Sequence, residues 1–480
     1  MTQSWATFGA DLHLEPVAGR GLRAGLAEAL REAARSGRLA PGTRLPSSRT
    51  LAADLGIARN TVAEAYGELV AEGWLTARQG SGTRVAERAR PRKGAGGAGG
   101  AGGARGGVGA GQQAVRRPAV RRGPTYSLMP GSPDLAGFPR TAWLSAARRA
   151  LLDAPNEAFG YGDPRGRVEL REALAGYLAR ARGVAADPER IVLTSGFAHG
   201  LMLVGRMLRA RRVRELAVEA YAVHVHRRLL AQVGLRTVPV GLDAAGARTQ
   251  DLAGMPAGAV LLTPAHQFPT GVALTPERRA AAVDWARTSG GVILEDDYDG
   301  EFRYDRQPVG ALQGLDPDRV LYLGTASKSL APGLRMGWMV VPPGLLDAVM
   351  AAKGRADWTS SALDQLTLAE FLRSGAYDRH VRSMRLRYRR RRDQLVAALE
   401  GRVRVSGIAA GLHAVLDLPP GTERSVVQSA AWHDLALEGL SLFRHPDAEL
   451  PARDAVVVGY ATPPDSAWTP TLAALTATLP

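Results

Sequence analysis

Three strand-like runs after residue 190 end in residues that could do chemistry together. The first is VLYLGTASKSLAPGLRMGW, where Lys328 follows an apolar run and sits among small and hydroxyl residues. A lysine at a strand's C-terminal end lies where open α/β sheets bind ligands. Thr325 and Ser327 offer hydroxyls, and Arg335 offers a planar fork suited to phosphate. The second run is GVILEDDYDGEFRY, in which Asp296 closes the apolar stretch 32 residues before Lys328 and Tyr298 follows two further on. The third is LTSGFAHG, whose Ser195, Gly196, Phe197 and Ala198 open a helix and whose amides form a natural phosphate cradle. A Schiff-base lysine, a buried acid for a pyridine nitrogen, a phenol and a phosphate-binding arginine are the parts that pyridoxal phosphate needs. The acid keeps the ring nitrogen protonated and so preserves the electron sink. Lys328 alone could equally be a salt-bridging surface lysine; the whole constellation is what points to a cofactor. Composition sharpens the point, because of 61 Lys and Arg residues only three, Lys93, Lys328 and Lys353, are lysines. A position that needed only positive charge could have become Arg.

A second set of residues, near the start, suits an anionic polymer. Leu22, Leu26 and Leu30 give a first helix an apolar stripe. APGTRLP reads as a turn, and SSRTLAADL as a second helix with Ser47 or Ser48 as N-cap and Leu51 and Leu55 facing inward. Gly56 permits a tight turn before a third helix from about Ala58 to Ala71, with Val62, Tyr66, Leu69 and Val70 on its buried side. This is the helix-turn-helix layout, whose second helix enters the major groove of double-stranded DNA. Arg59, Asn60 and Thr61 start that helix, where side chains reach base edges or phosphates, and Arg49 suits phosphate clamping. The strands WLTAR and TRVAE form a wing, in which Arg78 and the amides of Gly80, Ser81 and Gly82 can meet phosphate or the minor groove. One exposed helical Arg is ordinary. A cluster on a winged scaffold predicts an operator-DNA reader.

Positioning these two sets dictates the organisation of the chain. At 480 residues it exceeds one hydrophobic core. The expected units are a winged helix-turn-helix domain over 12–86, a linker over 87–124 and a large domain over 125–478. Residues 94–111 hold 11 Gly and 5 Ala without periodicity and predict a flexible tether. Its basic flanks, RARPRK and VRRPAVRRG, make it either a solubilising spacer or one that also touches DNA phosphates. In the large domain, strand-like runs begin near 191, 215, 259, 291, 320 and 335, with helical patterns such as PERRAAAVDWARTSG between them. That rhythm predicts an α/β fold, a mostly parallel sheet with helices on both faces. From about 375, the Arg-rich helix SMRLRYRRRRDQLVAALE and the strand signals GLHAVLDL and AVVVGY predict a small α+β subdomain. Apolar residues at 45% and charged residues at 22% exclude a disordered chain. The absence of Cys excludes a disulfide framework, a thiolate metal site and a cysteine nucleophile, and no metal is expected. No apolar run approaches 18 residues and the start lacks a signal-peptide layout, so no membrane partner and a cytoplasmic location are expected. The net charge of +15 agrees with a polyanionic partner, although the Arg-for-Lys bias dilutes that argument.

Residues 20–86, through LPSSRTLAADLGIARNTVAEAYGELVAEGWLTARQGSGTRV, resemble the winged helix-turn-helix of GntR-type bacterial transcription regulators. That resemblance implies DNA contacts from Arg49, Arg59, Thr61 and the tip Gly80-Ser81-Gly82. Residues 125–478 resemble the fold-type I aminotransferases, and more closely the version fused to a GntR-type reader in MocR-like regulators. The carrying motifs are YGDPRGRVELREALAGYLARARGV, TPAHQFPTG, LEDDYDGEFRY and GTASKSLAPGLRMGW. The resemblance implies that Lys328 bonds pyridoxal 5'-phosphate covalently, Asp296 pairs with its pyridine nitrogen and Tyr298 meets its ring oxygen. Thr325 and Arg335 would hold its phosphate, and Tyr161 would reach across a head-to-tail homodimer to the partner's cofactor.

Three departures stand out. Phe268-Pro269-Thr270-Gly271 replaces the Asn-Pro-x-Gly of ordinary aminotransferases and removes an Asn contact to the ring. Glu219-Ala220-Tyr221-Ala222-Val223 replaces Glu-Asp-Pro-Gly-Tyr, so Val223 is expected against the ring unless the loop shifts Tyr221 or His224 there. Val457 stands where an Arg often grips a substrate carboxylate. Cofactor anchors are kept while substrate-handling groups are altered, which favours sensing over turnover. The expected function is a pyridoxal-phosphate-dependent transcription regulator responding to an amine, an amino acid or a B6 vitamer. The competing expectations are a working aminotransferase with an accessory DNA-binding domain, and a cofactor-free dimerisation body; retention of Lys328 argues against the last.

Overall fold

A computed structural model describes residues 22–35, 39–78, 82–86, 124–304, 310–354, 360–451 and 453–479. They fall into two compact units, one before and one after the glycine-rich segment. Apart from Pro124, the expected linker lies outside the described residues.

The first unit is α1 (Leu22–Arg35), α2 (Ser48–Leu55), α3 (Arg59–Ala71) and the antiparallel strands β1 (Leu75–Arg78) and β2 (Gly82–Val85). Ser47 caps α2 by accepting the Thr50 N–H at 3.1 Å, and Gly56 ends it in the left-handed region at φ +65°. Leu26, Leu30, Leu51, Val62, Tyr66 and Leu69 share one core, and the Tyr66 hydroxyl donates to Pro46 O at 3.1 Å, pinning α3 to the turn before α2. Two expected core positions are corrected. Leu22 is 57% exposed, because α1 begins there and its first turn overhangs the core. Val70 is 36% exposed: it lies a further 100° round α3 from Leu69, and Ala65 completes the inward face instead.

The second unit opens with β3 (Tyr126–Ser127), α4 (Arg140–Asp153) and α5 (Val168–Arg182). There follow β4 (Ile191–Thr194), α6 (Phe197–Ala210), β5 (Glu215–Glu219), α7 (His224–Gln232) and β6 (Arg236–Val240). A hairpin, β7 (Leu242–Asp243) and β8 (Gly246–Ala247), leads to β9 (Ala259–Leu262), α8 (Pro276–Ser289), β10 (Val292–Asp296), β11 (Val320–Thr325) and β12 (Gly337–Val340). The central sheet has the order β4-β12-β11-β10-β9-β5-β6, parallel except for β12, which runs against both neighbours. Alternation along β11 shows how the sheet is covered. Leu321 and Leu323 join α6 residues Leu201, Val204 and Leu208 on one face, while Tyr322 joins Leu170 and Leu174 of α5 on the other. The edge strand β6 was not anticipated: it is only half-buried, and Pro239 interrupts its apolar pattern.

The C-terminal part holds α9 (Leu346–Lys353), α10 (Ala362–Arg373), the long α11 (Ala376–Leu399), β13 (Val405–Ser406), β14 (Ala414–Asp417) and α12 (Glu423–Trp432). It ends with β15 (Leu435–Ala436), β16 (Glu438–Gly439), β17 (Ala455–Val458) and α13 (Asp465–Thr478). Strands β13-β14-β17-β16 form the small antiparallel sheet of the expected α+β subdomain. Among the many arginines of α11, Arg391 is buried, donating to Asp134 Oδ2 at 3.1 Å, Asp465 Oδ1 at 2.6 Å and Pro463 O at 2.7 Å.

Gly324 in β11 leaves room for the indole of Trp338, its cross-strand partner in β12; a Cβ there would lie 2.2 Å from Trp338 Nε1. Gly324→Ala should therefore overpack the strand that delivers Thr325 and cost about 1–3 kcal/mol. A denaturant midpoint for the large unit equal to that of the wild type would show that the indole is not seated there.

Candidate functional site

The end of β10 carries five carboxylates within seven residues: Glu295, Asp296, Asp297, Asp299 and Glu301. The first four are buried and Glu301 is partly so. A buried carboxylate must find donors or forgo its charge. Glu295 accepts the backbone N–H groups of Leu312 and Gln313 at 2.7 and 2.8 Å. Asp297 holds the Arg182 guanidinium through Nε at 2.6 Å and Nη2 at 3.0 Å, and accepts the Tyr322 hydroxyl at 2.8 Å. Asp299 lies 2.8 Å from His266 Nδ1, and Glu301 accepts from the Tyr177 and Tyr377 hydroxyls at 3.3 and 3.1 Å. Asp296 is different. Its Oδ1 is buried without a hydrogen-bond partner and looks into a cavity of about 370 Å³.

That cavity brings the expected constellation together. Lys328, Asp296, Tyr298, Thr325, Ser327 and Arg335 line it from three strand ends, with Phe197 and Ala198 at the start of α6. Lys328 Nζ donates to Gly131 O; burial pulls its pKa down, opposed by the negative charges of Asp296 and Asp299. Burial pushes the Asp296 carboxyl well up, against the pull of Lys328. Thr325 Oγ1 lies 2.8 Å from Ser327 Oγ and donates to Met336 O at 3.1 Å. The Tyr298 hydroxyl stands 3.1 Å from His266 Nδ1. Gly196 turns the chain into α6 at φ +89°, and a Cβ there would sit 3.2 Å from Arg335 Nη1, so its missing side chain makes room for that guanidinium.

One part of the expected phosphate cradle is corrected. The Ser195 N–H donates to His199 Nδ1 at 3.0 Å and is not free for an anion, and Ser195 and Gly196 do not line the cavity. Tyr161 is 95% exposed and stands apart from it. In the altered segment after β5, Val223 and His224 line the cavity. Tyr221 instead packs among Phe268, Val415 and Phe443. Its carbonyl is held by Gln267, whose Nε2 donates to Tyr221 O at 2.7 Å and Phe268 O at 2.6 Å. Beside it, Glu219 accepts the Thr263 hydroxyl at 2.5 Å and is pushed up to about 7 by burial.

Two ionisable residues of the cavity lining, His226 and Glu438, escaped sequence reasoning. His226 rests on Phe197 with ring centroids 4.7 Å apart, and burial together with the Lys328 charge lowers its pKa to about 3, so the imidazole is neutral. Its signal was available, since His226 lies three residues beyond Val223 and shares its side of α7. Glu438, on β16, carried no motif.

In the first unit Arg49, Arg59 and Asn60 are exposed and Thr61 is partly so, with Arg59 to Thr61 forming the first turn of α3. Neither Arg49 nor Arg59 forms an ion pair among the described residues, which leaves both charges available to an anion. Gly82 opens β2 at φ +81°. The side chain of Arg78, and Gly80 and Ser81 entirely, lie outside the described residues.

Comparison with known proteins agrees with this division. Residues 131–445 match the aminotransferase class I and II family, and residues 22–85 match the gntR family of bacterial regulatory proteins. The chain is 34% identical over 410 residues to the HTH-type transcriptional regulator YhdI of Bacillus subtilis, covering 84% of this chain and 85% of that one. It is 32% identical to the pyridoxine biosynthesis regulator PdxR of Corynebacterium glutamicum, covering 82% of each chain. It is 34% identical to the probable rhizopine catabolism regulatory protein MocR of Rhizobium meliloti, covering 78% of this chain and 76% of that one. Among solved structures, Pyrococcus horikoshii kynurenine aminotransferase superposes with a TM-score of 0.65 at 25% identity, covering 73% of this chain and 90% of that one.

The Arg182–Asp297 pair fixes the strand end that presents Asp296. Arg182→Met should leave a buried charge with only the Tyr322 hydroxyl and destabilise the large unit by about 3–5 kcal/mol. Adding Asp297→Asn should restore part of that loss. A single replacement costing under about 1 kcal/mol in denaturant titration would deny the pair its organising role.

Proposed function

Because the chain belongs to the MocR-like subgroup of GntR-type transcription regulators, we propose that it is an effector-responsive regulator whose aminotransferase-like unit senses a small amine, amino acid or B6 vitamer. Pyridoxal 5'-phosphate is the cofactor of such a unit, and the residues present fit it. The carrying observation is Asp296 Oδ1, a buried acceptor left unmatched beside a cavity that also holds a buried lysine. Lys328 would hold the cofactor covalently, Asp296 would meet its pyridine nitrogen and Tyr298 its ring oxygen. Thr325, Ser327, Arg335 and the N-terminus of α6 would hold the phosphate, with Val223 on one wall. When bound, the cofactor supplies an electrophilic carbon that condenses with amines and an electron sink behind it.

The chain's own residues prepare that chemistry. Desolvation makes the Lys328 amine easier to deprotonate and therefore more nucleophilic. A cationic N–H brought to Asp296 would restore the carboxylate's charge in a dry site, where such a bond is strong. At the other unit, Arg59, Asn60 and Thr61 would meet an operator and Arg49 its phosphates. Tyr161, with exposed Leu144, Leu151, Leu152 and Phe159 nearby in sequence, supports a head-to-tail homodimer in which Tyr161 reaches the other subunit's site. The cytoplasm is the expected compartment; no helix among the described residues is long and apolar enough to cross a membrane. Effector binding would act by favouring one arrangement of the dimer over another, to the extent that it binds that arrangement better.

Purified protein given pyridoxal 5'-phosphate should develop a visible absorbance band, and borohydride should fix the cofactor on the peptide containing Lys328. Lys328→Ala should stay folded and lose the covalent link, and Asp296→Asn should weaken cofactor affinity by about 10- to 100-fold, the worth of one charge-assisted hydrogen bond. No band at saturating cofactor sinks the reading. Steady-state turnover with a panel of amino donors would instead favour a working aminotransferase.

For the reader, Arg59→Ala should weaken operator binding and, where it reads a base, relax discrimination by about 1–3 kcal/mol at one position. Arg49→Ala should weaken all sequences evenly and reduce the salt slope by about one. Unchanged affinity in both variants would remove the winged unit from operator recognition.

A further inference from the structure

The cofactor anchors do not account for the whole cavity lining, and the remaining residues have their own chemistry. It is built on the small sheet. In β14-β17-β16 the register sets Val415 opposite Val457, and Val457 opposite Glu438. Paired residues on neighbouring antiparallel strands share a face. Val415 and Val457, both fully buried, pack on Phe268, Tyr298 and Phe443. Glu438 ends that row and lines the cavity together with Phe268 and Phe443. Its carboxylate makes no hydrogen bond or ion pair among the described residues, and partial burial raises its pKa. It is a half-desolvated carboxylate that nothing among the described residues answers.

The other polar groups cannot take its place. Lys328 faces Asp296, and Arg335 lies against Gly196 at the mouth of α6. His224 and His226 also line the cavity, but burial and neighbouring cations lower both pKa values, so neither offers a fixed positive charge. Among the described lining residues, the ionised group left to greet a ligand beyond the cofactor anchors is therefore negative, at the end of an apolar wall.

We propose that this subsite selects an amine with a second cationic group at its far end, a diamine and not an amino acid, and that Glu438 recognises that charge. The proposal rests on the sensing role given above and names the ligand class of that same site. One amino group would enter toward Lys328, the alkyl body would lie along Phe268 and Phe443, which Val457 backs from the core, and the second ammonium would meet Glu438. A carboxylate in that place would face a like charge without a compensating cation.

The test uses the full-length protein loaded with pyridoxal 5'-phosphate and titrated with 1,4-diaminobutane, butylamine and 4-aminobutanoate. The visible absorbance change is followed, with calorimetry as a second readout. The diamine should half-saturate at a concentration at least about 10-fold below butylamine, with 4-aminobutanoate weakest, since one charge-assisted pair is worth that much. Glu438→Gln should remove the diamine advantage while leaving the cofactor band and the butylamine response intact. Glu438→Lys should turn the preference toward 4-aminobutanoate. If loaded protein prefers 4-aminobutanoate, or if Glu438→Gln keeps the diamine preference, this inference is overturned alone. If the protein takes up no cofactor, the underlying sensing role fails with it.

Discussion

The structure of the large unit depends on how it accommodates negative charge at the end of β10. Five carboxylates in a stretch of seven residues cannot all be buried unless distant parts of the chain come to meet them. They do so from four directions. Arg182 arrives at the C-terminal end of α5, the amides of Leu312 and Gln313 from the segment before β11, His266 from the turn after β9, and Tyr377 from the start of α11. The four carboxylates other than Asp296 thereby each tie in at least one neighbouring element, and the position of Asp296 is over-determined by bonds that it does not itself make. The unmatched oxygen follows from that arrangement. A rigid acceptor with no partner of its own is a preorganised place for a cationic N–H, because orienting it costs nothing further at the moment of binding.

The second layer of the site is a substitute for a missing contact. The turn His266-Gln267-Phe268 carries no Asn to reach into the cavity. Instead His266 stands behind Tyr298, within 3.1 Å of its hydroxyl and 2.8 Å of Asp299 Oδ2. The ring of His413 packs 4.9 Å from it and bonds Pro269 O at 3.0 Å. Gly411 is required for this closeness: at φ +74°, a Cβ there would fall 2.1 Å from His266 Cε1. The phenol is thus held from behind by buried side chains. Its orientation needs no group inside the cavity.

Much of this was legible in the sequence because the informative residues sit at strand ends. An apolar run followed at once by Asp, Lys or Gly announces both a buried strand and the chemistry at its tip, which is why Asp296, Lys328 and the Gly196 turn could be placed without coordinates. The helix-turn-helix was legible for a related reason, since Ser47 and Gly56 are local signals for where α2 begins and ends. What failed depended on side-chain rotamers and strand pairing that no local sequence pattern reveals. The Ser195 amide looked free because its acceptor, the His199 ring, competes through a rotamer that no pattern reveals. β6 was invisible because an edge strand needs only half an apolar pattern. Glu438 belongs to a two-residue strand whose meaning comes entirely from its register against Val457, and register is fixed by tertiary pairing.

Hydrogen bonds also tie two parts of the cavity lining to each other. The start of α7, which carries Val223, His224 and His226, is tied to the loop after β16 by Arg227, whose guanidinium donates to Phe443 O at 3.2 Å and Arg444 O at 3.1 Å. The Ala222 N–H also donates to Phe443 O, at 3.0 Å. Phe443 is itself part of the cavity lining, four residues beyond the end of β16. A ligand settling between Lys328 and Glu438 as proposed would therefore touch a wall hydrogen-bonded to the start of α7, where Val223 and His224 line the cavity. Ligands that engage only one side lack that leverage, however tightly they bind, because an equilibrium shifts only by the difference in affinity for its two states. On the proposed reading, discrimination by charge at Glu438 and response at Lys328 would be two readings of one set of contacts, and the geometry that selects the ligand would also be the geometry that reports it.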